Sequence, residues 1–228
     1  MTHDTGPSNG QWVTLQAADG HRLKAYRVDA VGAERGRLVL VQEIFGVNRH
    51  IRSVCDGYAA DGYTVIAPAM FDRIEEGVEL GYDEEGIARG RAIMTRIPFD
   101  TALLDVAAAL EQIGGAGAAA VAGYCWGGSV AWLAASRLPV RAAIAYYGGQ
   151  IGNHLDEAPR APTMLHFGET DHAIPLTVAE GVRSRYPLAL THLYAAGHGF
   201  NCDERASYDA ESAALARRRS LGFLAAVF

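Results

Sequence analysis

One turn constrains the fold of this chain more than any other stretch: Gly-Tyr-Cys-Trp-Gly at residues 123–127. An apolar run at 118–122 leads into it as a short strand, and a helix-compatible run at 129–137 follows. A sharp strand-to-helix turn strains its central residue and leaves no room for flanking side chains, which explains the glycines. The first N–H groups of the helix favour a thiolate at Cys125. The pattern is that of a nucleophile elbow with cysteine in place of serine.

Length and composition limit the class of protein. The 228 residues, 50% of them hydrophobic, suffice for one domain with a sizeable core, and we expect a flexible tail at 1–11 and a single domain at 12–228. The polar start does not resemble a signal peptide, and no apolar run approaches the roughly 20 residues that span a bilayer. A net charge of −6 without a basic block argues against nucleic acid or membrane partners. Three cysteines without metal-type spacing fit a cytoplasmic protein that has neither disulfides nor a bound metal.

Strand-like and helix-like segments alternate along the chain. Polar–apolar alternation around Asp19-Gly20 predicts an N-terminal hairpin, and continuous apolar runs predict buried parallel strands. Predicted strands lie at 12–16, 22–28, 37–41, 63–67, 118–122, 141–147, 161–167 and 190–195, and predicted helices at 50–61, 87–96, 100–113, 129–137, 175–185 and 207–228. Asp100 is expected to cap the third helix, and the acidic residues 70–90 are expected to form an irregular excursion above the sheet. This order predicts an α/β fold, with a mostly parallel central sheet of about eight strands and helices on both faces.

Three chemically capable side chains directly follow predicted strands. Cys125, Asp171 and His198 lie in separate loops beyond the carboxyl ends of strands, where ligands bind in such sheets. Their order, nucleophile then acid then histidine, is that of α/β-hydrolase triads. In these roles His198 takes the thiol proton or pairs with the thiolate, and Asp171 accepts from the other ring nitrogen. The sequence therefore predicts a Cys-His-Asp triad.

The backbone N–H groups of Ile44 and Trp126 are expected to form the oxyanion hole of this site. Structural alternatives exist for each side chain of the triad. Asp171 could merely cap a turn, and a free cysteine is often a small buried hydrophobe, which is our interpretation of Cys55 and Cys202. The joint pattern of three residues in the right order at three strand ends favours catalysis.

The chain resembles the dienelactone hydrolase (carboxymethylenebutenolidase) family, a branch of the α/β-hydrolase fold, from about Trp12 to Phe228. The motifs that carry the resemblance are Gln42-Glu43-Ile44-Phe45-Gly46-Val47-Asn48, Gly62-Tyr63, Pro68, Gly123-Tyr124-Cys125-Trp126-Gly127-Gly128, Tyr146-Tyr147-Gly148, Asp171-His172 and Gly197-His198-Gly199-Phe200. The resemblance implies that Cys125, Asp171 and His198 are the catalytic triad and that Glu43 sits beside the cysteine. No organic cofactor or metal is implied.

Glu43 has a specific role in the family that this chain resembles. The resting thiol there is largely protonated and the glutamate is engaged nearby. An anionic substrate then displaces the glutamate, which takes the proton of the thiol. The resemblance thus implies that Cys125 is activated by the substrate, which would protect the thiol from oxidation between turnovers. Alternatively, Glu43 only caps the next helix or pairs with an arginine.

Family members that act on dienelactone hold the substrate carboxylate with arginines. The candidates here are Arg89 or Arg91, before the elbow strand, and Arg205, a few residues beyond the position that the best-studied type of enzyme uses. These arginines could also be ordinary surface residues. The resemblance further implies that Tyr147 and Phe45, which lie within two of the shared motifs, contact the substrate.

The most specific function that the sequence predicts is a hydrolase for an enol-lactone or related ester, with dienelactone to maleylacetate as the reference reaction. A broader cysteine-nucleophile carboxylesterase or thioesterase is the first alternative, and a catalytically silent binding protein of the same fold is the second. The expected partner is a small-molecule substrate, and the expected assembly is a monomer or small homo-oligomer.

Overall fold

The computed structural model describes residues 10–228 as eight strands and six α-helices. The strands are β1 (Gln11–Gln16), β2 (Arg22–Val28), β3 (Gly36–Val41), β4 (Tyr63–Pro68), β5 (Ala120–Tyr124), β6 (Ala143–Tyr146), β7 (Thr163–Gly168) and β8 (Leu190–Tyr194). The helices are α1 (Arg49–Ala60), α2 (Glu84–Met94), α3 (Phe99–Gln112), α4 (Trp126–Arg137), α5 (Leu176–Arg185) and α6 (Ala210–Val227). Each of these elements was predicted from the sequence, with ends shifted by up to three residues.

The strands form one sheet in the order β1-β2-β4-β3-β5-β6-β7-β8. The N-terminal hairpin is antiparallel, as is the pairing of β2 with β4, and every other pairing is parallel. The crossover from β3 to β4 runs in the opposite direction to the crossover from β4 to β5. Because such crossovers are right-handed, α1 and α3 cover opposite faces. The predicted α/β fold, a mostly parallel sheet of eight strands, is confirmed.

The core lies along the central strands. Every residue of β5 and β6 is buried, and residues 38–41 of β3 are fully buried. Strands buried on both faces read as unbroken apolar runs, which is why the sequence indicated them directly. Within residues 10–228 no helix is both long and apolar enough to cross a membrane.

Helices α4 and α6 each begin three residues from the predicted start, and three further expectations need correction. Asp100 does not cap α3, because the helix begins at Phe99 and Asp100 lies within its first turn, where it pairs with Arg137. Helix α2 begins three residues before the predicted start, since the Asp83 side chain accepts the Gly86 N–H at 2.8 Å and caps it there. The predicted tail 1–11 lies mostly outside the described residues, but its last residue belongs to β1.

Candidate active site

The turn after β5 has the strained conformation that its sequence predicts. Cys125 lies at φ 54° and ψ −116°, immediately before α4. A Cβ added to Gly123 would lie 1.9 Å from the carbonyl oxygen of Gly127, and one added to Gly127 would lie 2.4 Å from that of Val41. The backbones of the turn, the helix and β3 therefore approach too closely for side chains, and this contact fixes the position of the thiol.

A substitution at Gly127 should therefore damage the fold. We expect Gly127→Ala to lower the free energy of unfolding by about 2 kcal/mol or more, because the added methyl meets backbone that must shift. Gly222→Ala in α6 is the matched control, since a Cβ there meets nothing within 4 Å and should be neutral or stabilise by up to about 1 kcal/mol. Urea denaturation measures both variants, and equal stabilities would contradict the steric argument.

The three predicted triad residues meet at the carboxyl edge of the sheet. His198 Nε2 lies 3.2 Å from Cys125 Sγ, and His198 Nδ1 lies 2.8 Å from Asp171 Oδ2. Because an ionised carboxylate only accepts hydrogen bonds, Nδ1 carries the proton that is donated to Asp171. The other carboxylate oxygen accepts the backbone N–H groups of Ala173 and Ile174 at 2.8 and 3.2 Å. Asp171 is thus fixed by its own loop and aims at one ring nitrogen, which leaves the other for the thiol.

Burial opposes a positive charge on His198, but the hydrogen bond to Asp171 and the Cys125 sulfur outweigh it and raise the pKa of His198 to about 10. The ring, when it is paired with a Cys125 thiolate, is therefore an imidazolium at neutral pH. An imidazolium stabilises a thiolate once it has formed, but it has no free nitrogen for the proton of a thiol. A second base is required if the resting thiol is protonated.

The predicted oxyanion-hole groups are free to bind a ligand. Among the described residues, no acceptor takes the N–H of Ile44 or that of Trp126. Helix α2 supports the Ile44 loop closely, since a Cβ on Gly90 would lie 1.9 Å from the Ile44 carbonyl oxygen. Gly46, at φ 79°, makes a similarly close approach to Val78. Preorganised N–H donors of this kind stabilise a developing oxyanion.

Glu43 follows β3 and has no exposed surface. Its Oε1 accepts a hydrogen bond from Arg205 Nη1 at 3.3 Å, and its Oε2 has no partner among the described residues. The capping alternative is wrong, because the Asn48 side chain caps α1. The alternative of an arginine partner is confirmed, and it is compatible with a catalytic role, since an arginine that holds Glu43 also faces the site.

Arg205 reaches Glu43 although its position in the sequence departs from the family pattern. Its guanidinium carbon lies 5.6 Å from the centre of the Phe45 ring and 5.9 Å from that of Tyr82. Gly199 makes room for this path, because a Cβ there would lie 2.3 Å from the Arg205 Nη1 atom. The guanidinium is therefore held between aromatic rings and a buried carboxylate.

The other four residues that were predicted to contact the substrate fall into two groups, one beside the triad and one on the exposed side of α2. Tyr147 is fully buried, and its ring centre lies 5.2 Å from that of His198. Phe45 is buried against Tyr82, with ring centres 4.3 Å apart. Arg89 and Arg91 lie on the exposed side of α2, where Arg89 pairs with Glu75. Tyr147 and Phe45 thus border the triad and Glu43, whereas the two α2 arginines stay predictions without a contact to the triad.

The sequence did not indicate a second group of polar side chains around Glu43. His50 Nδ1 donates to Asp203 Oδ1 at 2.9 Å. Burial opposes the charge on His50, but the Asp203 carboxylate and the Cys202 sulfur raise its pKa to about 10. Cys202 is fully buried, as predicted, but it lies beside polar groups instead of in an apolar core. Cys202 is far from Glu43 and His50 in the chain, so no spacing could have indicated the cluster.

The chain is similar to known proteins of one family. The family model described as "Dienelactone hydrolase family" matches residues 23–228. The carboxymethylenebutenolidases of Pseudomonas putida and Pseudomonas knackmussii are each 31% identical to this chain over 225 residues, which cover 93% of it and 95% of the relative. A Klebsiella pneumoniae protein named as a dienelactone hydrolase has a solved structure that is 28% identical, with a TM-score of 0.79 over 96% of this chain and 99% of that one.

The family match begins within β2 and includes every later strand, the elbow and the histidine loop. The curated relatives are also covered almost completely, so the chain corresponds to them as a whole and not to one part. The chain therefore belongs to the dienelactone hydrolase family and is a hydrolase of the carboxymethylenebutenolidase type.

Proposed function

We propose that this hydrolase opens an enol-lactone or related ester, of the dienelactone-to-maleylacetate type, through a Cys-His-Asp triad and an acyl-enzyme. The observation that supports it best is the Cys125–His198–Asp171 hydrogen-bond chain, with Glu43 held by Arg205 in the same site. The reaction requires no cofactor, and the substrate is a small molecule. The proposal includes a cytoplasmic location, supported by three free cysteines, and a monomer or small homo-oligomer.

The first step activates the thiol. In this proposal His198 carries a proton on both ring nitrogens, and the proton of Cys125 passes to Glu43, whose Oε2 has no partner among the described residues. An anionic substrate triggers this transfer, because its carboxylate competes with Glu43 for the Arg205 guanidinium and frees the glutamate to move. The thiolate then forms beside the His198 imidazolium, where it is stabilised by charge.

The second step is acylation. Cys125 Sγ attacks the lactone carbonyl, and the N–H groups of Ile44 and Trp126 hold the oxyanion. Collapse breaks the ring C–O bond, and the enolate oxygen stays on the acyl chain because the leaving group was part of the ring. The His198 imidazolium gives this enolate a proton and becomes a neutral base.

The third step is hydrolysis of the thioester. Neutral His198 takes a proton from water, and the resulting hydroxide attacks the acyl carbon. Cys125 leaves as a thiolate paired with the reformed imidazolium, and Glu43 returns its proton to the sulfur. The product departs as a ring-opened acid that loses its proton to the solvent, and Glu43 pairs again with Arg205.

The substrate preference tests this proposal. We expect the enzyme to prefer anionic lactones to neutral p-nitrophenyl esters in kcat/KM, and we expect Arg205→Gln to lose most of that preference, about 10- to 100-fold, because the contact is charge-assisted. Arg91→Gln is a matched control on the exposed side of α2. If Arg91→Gln lost the preference for anionic lactones and Arg205→Gln kept it, the substrate carboxylate would be assigned to Arg91 in α2 instead of Arg205. An enzyme without any preference would instead support the broader carboxylesterase or thioesterase.

A further inference from the structure

Three unlike ligand groups lie together on one side of Glu43. A carboxylate oxygen of Glu43, the sulfur of Cys202 and a ring nitrogen of His50 all lie within 4.8 Å of one another. The side chains come from the loop after β3, from the start of α1 and from the loop after β8. Glu43 and Cys202 have no exposed surface, and His50 is 3% exposed. Carboxylate, thiolate and imidazole are the three ligand types that zinc takes in proteins.

Two of these side chains carry a buried polar atom to which no residue in 10–228 makes a hydrogen bond of normal geometry. Among the described residues, Oε2 of Glu43 and Nε2 of His50 have no hydrogen-bond partner. Each unsatisfied buried polar group costs about 1–3 kcal/mol, so a bound cation would remove a cost that the empty site carries. These orphaned atoms distinguish the cluster from an ordinary buried polar network, in which the partners satisfy one another.

The surroundings of His50 are those of a metal-binding histidine. Its Nδ1 faces Asp203 Oδ1 at 2.9 Å, which leaves Nε2 as the ligand nitrogen. A carboxylate behind the imidazole fixes the orientation of the ring and raises its basicity, as is usual for metal ligands. The Asp203 side chain is 65% exposed, so solvent reaches the outer side of this pair.

The charges also fit a divalent cation. Arg205 occupies only the Oε1 atom of Glu43. The formal charges of Glu43, Asp203 and a Cys202 thiolate together balance those of Arg205 and one divalent ion. Ligand bonds of about 2.0–2.3 Å in a tetrahedron place ligand atoms roughly 3.3–3.8 Å apart, and the three ligand atoms here lie within 4.8 Å of one another. Side-chain rotations that close the remaining gap complete a three-ligand site and leave the fourth position open.

We propose that Glu43, His50 and Cys202 form a site for a thiophilic divalent cation such as Zn²⁺, and that the bound ion arrests turnover by holding Glu43 away from Cys125. The ion replaces the protons on the Cys202 sulfur and His50 Nε2, which pass to the buffer. No bond is oxidised or reduced. The inhibitory part rests on the proposed function, since it requires Glu43 to be the base, whereas the binding part stands on geometry alone.

Cobalt is the probe for binding, because a cobalt–thiolate bond gives a charge-transfer absorption band. The measurement uses the Cys125→Ala protein, so that the catalytic thiol cannot bind the metal. We expect a one-to-one complex with this band. We expect His50→Gln and Cys202→Ser, each in the same background, to lose the band or bind at least about 10-fold more weakly. Cys55→Ser is the matched control, and it should keep the band. A band that survives in Cys202→Ser, or none in the parent protein, would overturn the site.

Inhibition is measured separately in the enzyme that retains Cys125. We expect Zn²⁺ to inhibit lactone hydrolysis reversibly, with a chelator restoring activity, and we expect at least about 10-fold weaker inhibition in Cys202→Ser or His50→Gln. Equal inhibition of these variants would show that Zn²⁺ acts at Cys125 and His198, and would refute the arrest of Glu43. If lactones are not substrates, the cobalt result still decides the binding site.

Discussion

Replacement of Cys125 by alanine is expected to lower kcat/KM on lactone substrates by about 10⁴-fold or more. In the proposed mechanism the Cys125 sulfur forms the acyl-enzyme, and among the described residues no other nucleophilic side chain lies at the elbow. The oxyanion hole and substrate binding remain, so a small residual rate is expected. The free energy of unfolding should change little, because Cys125 is partly exposed and its strained backbone is retained. Steady-state kinetics and urea denaturation measure the two effects.

Cys55→Ala provides the contrast to this variant. Cys55 is fully buried in α1, and burial raises the pKa of its thiol far above the ordinary value. Its removal should reduce stability and leave kcat/KM nearly unchanged. A Cys125→Ala enzyme with full lactonase activity would eliminate the proposed mechanism, whatever the result for Cys55→Ala.

Asp171→Asn is expected to have the second largest effect, a loss of about 10³- to 10⁴-fold in kcat/KM. The carboxylate is the main group that raises the pKa of His198, so the neutral amide lets that pKa fall toward its ordinary value. The wild-type rate should decline as pH rises through about 10, where the imidazolium is lost. In the variant this alkaline decline should move to lower pH. A pH–rate profile with an unmoved alkaline limb would mean that Asp171 has only a structural role.

The raised pKa of His198 also predicts how the free energy of unfolding depends on pH. His198 has a higher pKa in the folded protein, about 10, than in the unfolded chain, about 6.5. The folded state therefore binds the proton more tightly, and this contribution to stability is complete below the unfolded pKa. It is lost as pH rises through the folded pKa. We expect wild-type stability to fall between about pH 6.5 and 10, and Asp171→Asn to flatten that fall.

The sequence predicted the framework and the proximity of Cys125, Asp171 and His198 because both depend on local patterns. The buried strands are apolar runs, and the glycines around Cys125 follow from the close contacts of one turn. Asp171 and His198 were found because each lies just beyond a strand, and parallel strands bring such positions to one edge. Their separation in the chain did not matter, since the fold class fixed where the loops meet.

What the sequence could not predict depends on side-chain directions across separate elements. Arg205 is displaced along the chain from the family position, yet its long side chain still reaches Glu43 past Gly199. His50 lies in α1 and Cys202 beyond β8, and only the packed fold brings them together. Asp100 was misassigned because an acidic residue in the first turn and an acidic N-cap residue look alike in sequence. In the structure Pro98 occupies the N-cap position, so Asp100 falls within the first turn.

The sheet order has a consequence for how this enzyme acquires its reactivity during synthesis. Cys125 belongs to the middle of the sheet, but His198 follows β8, the outermost strand and the last to leave the ribosome. An incomplete chain can form the elbow, but it has no imidazole with which to pair the thiolate. In the proposed mechanism, a substrate can therefore activate the thiol only after the final strand docks. Alkylation of Cys125 that becomes faster when an anionic substrate analogue is added would serve as a chemical signal that the fold is complete.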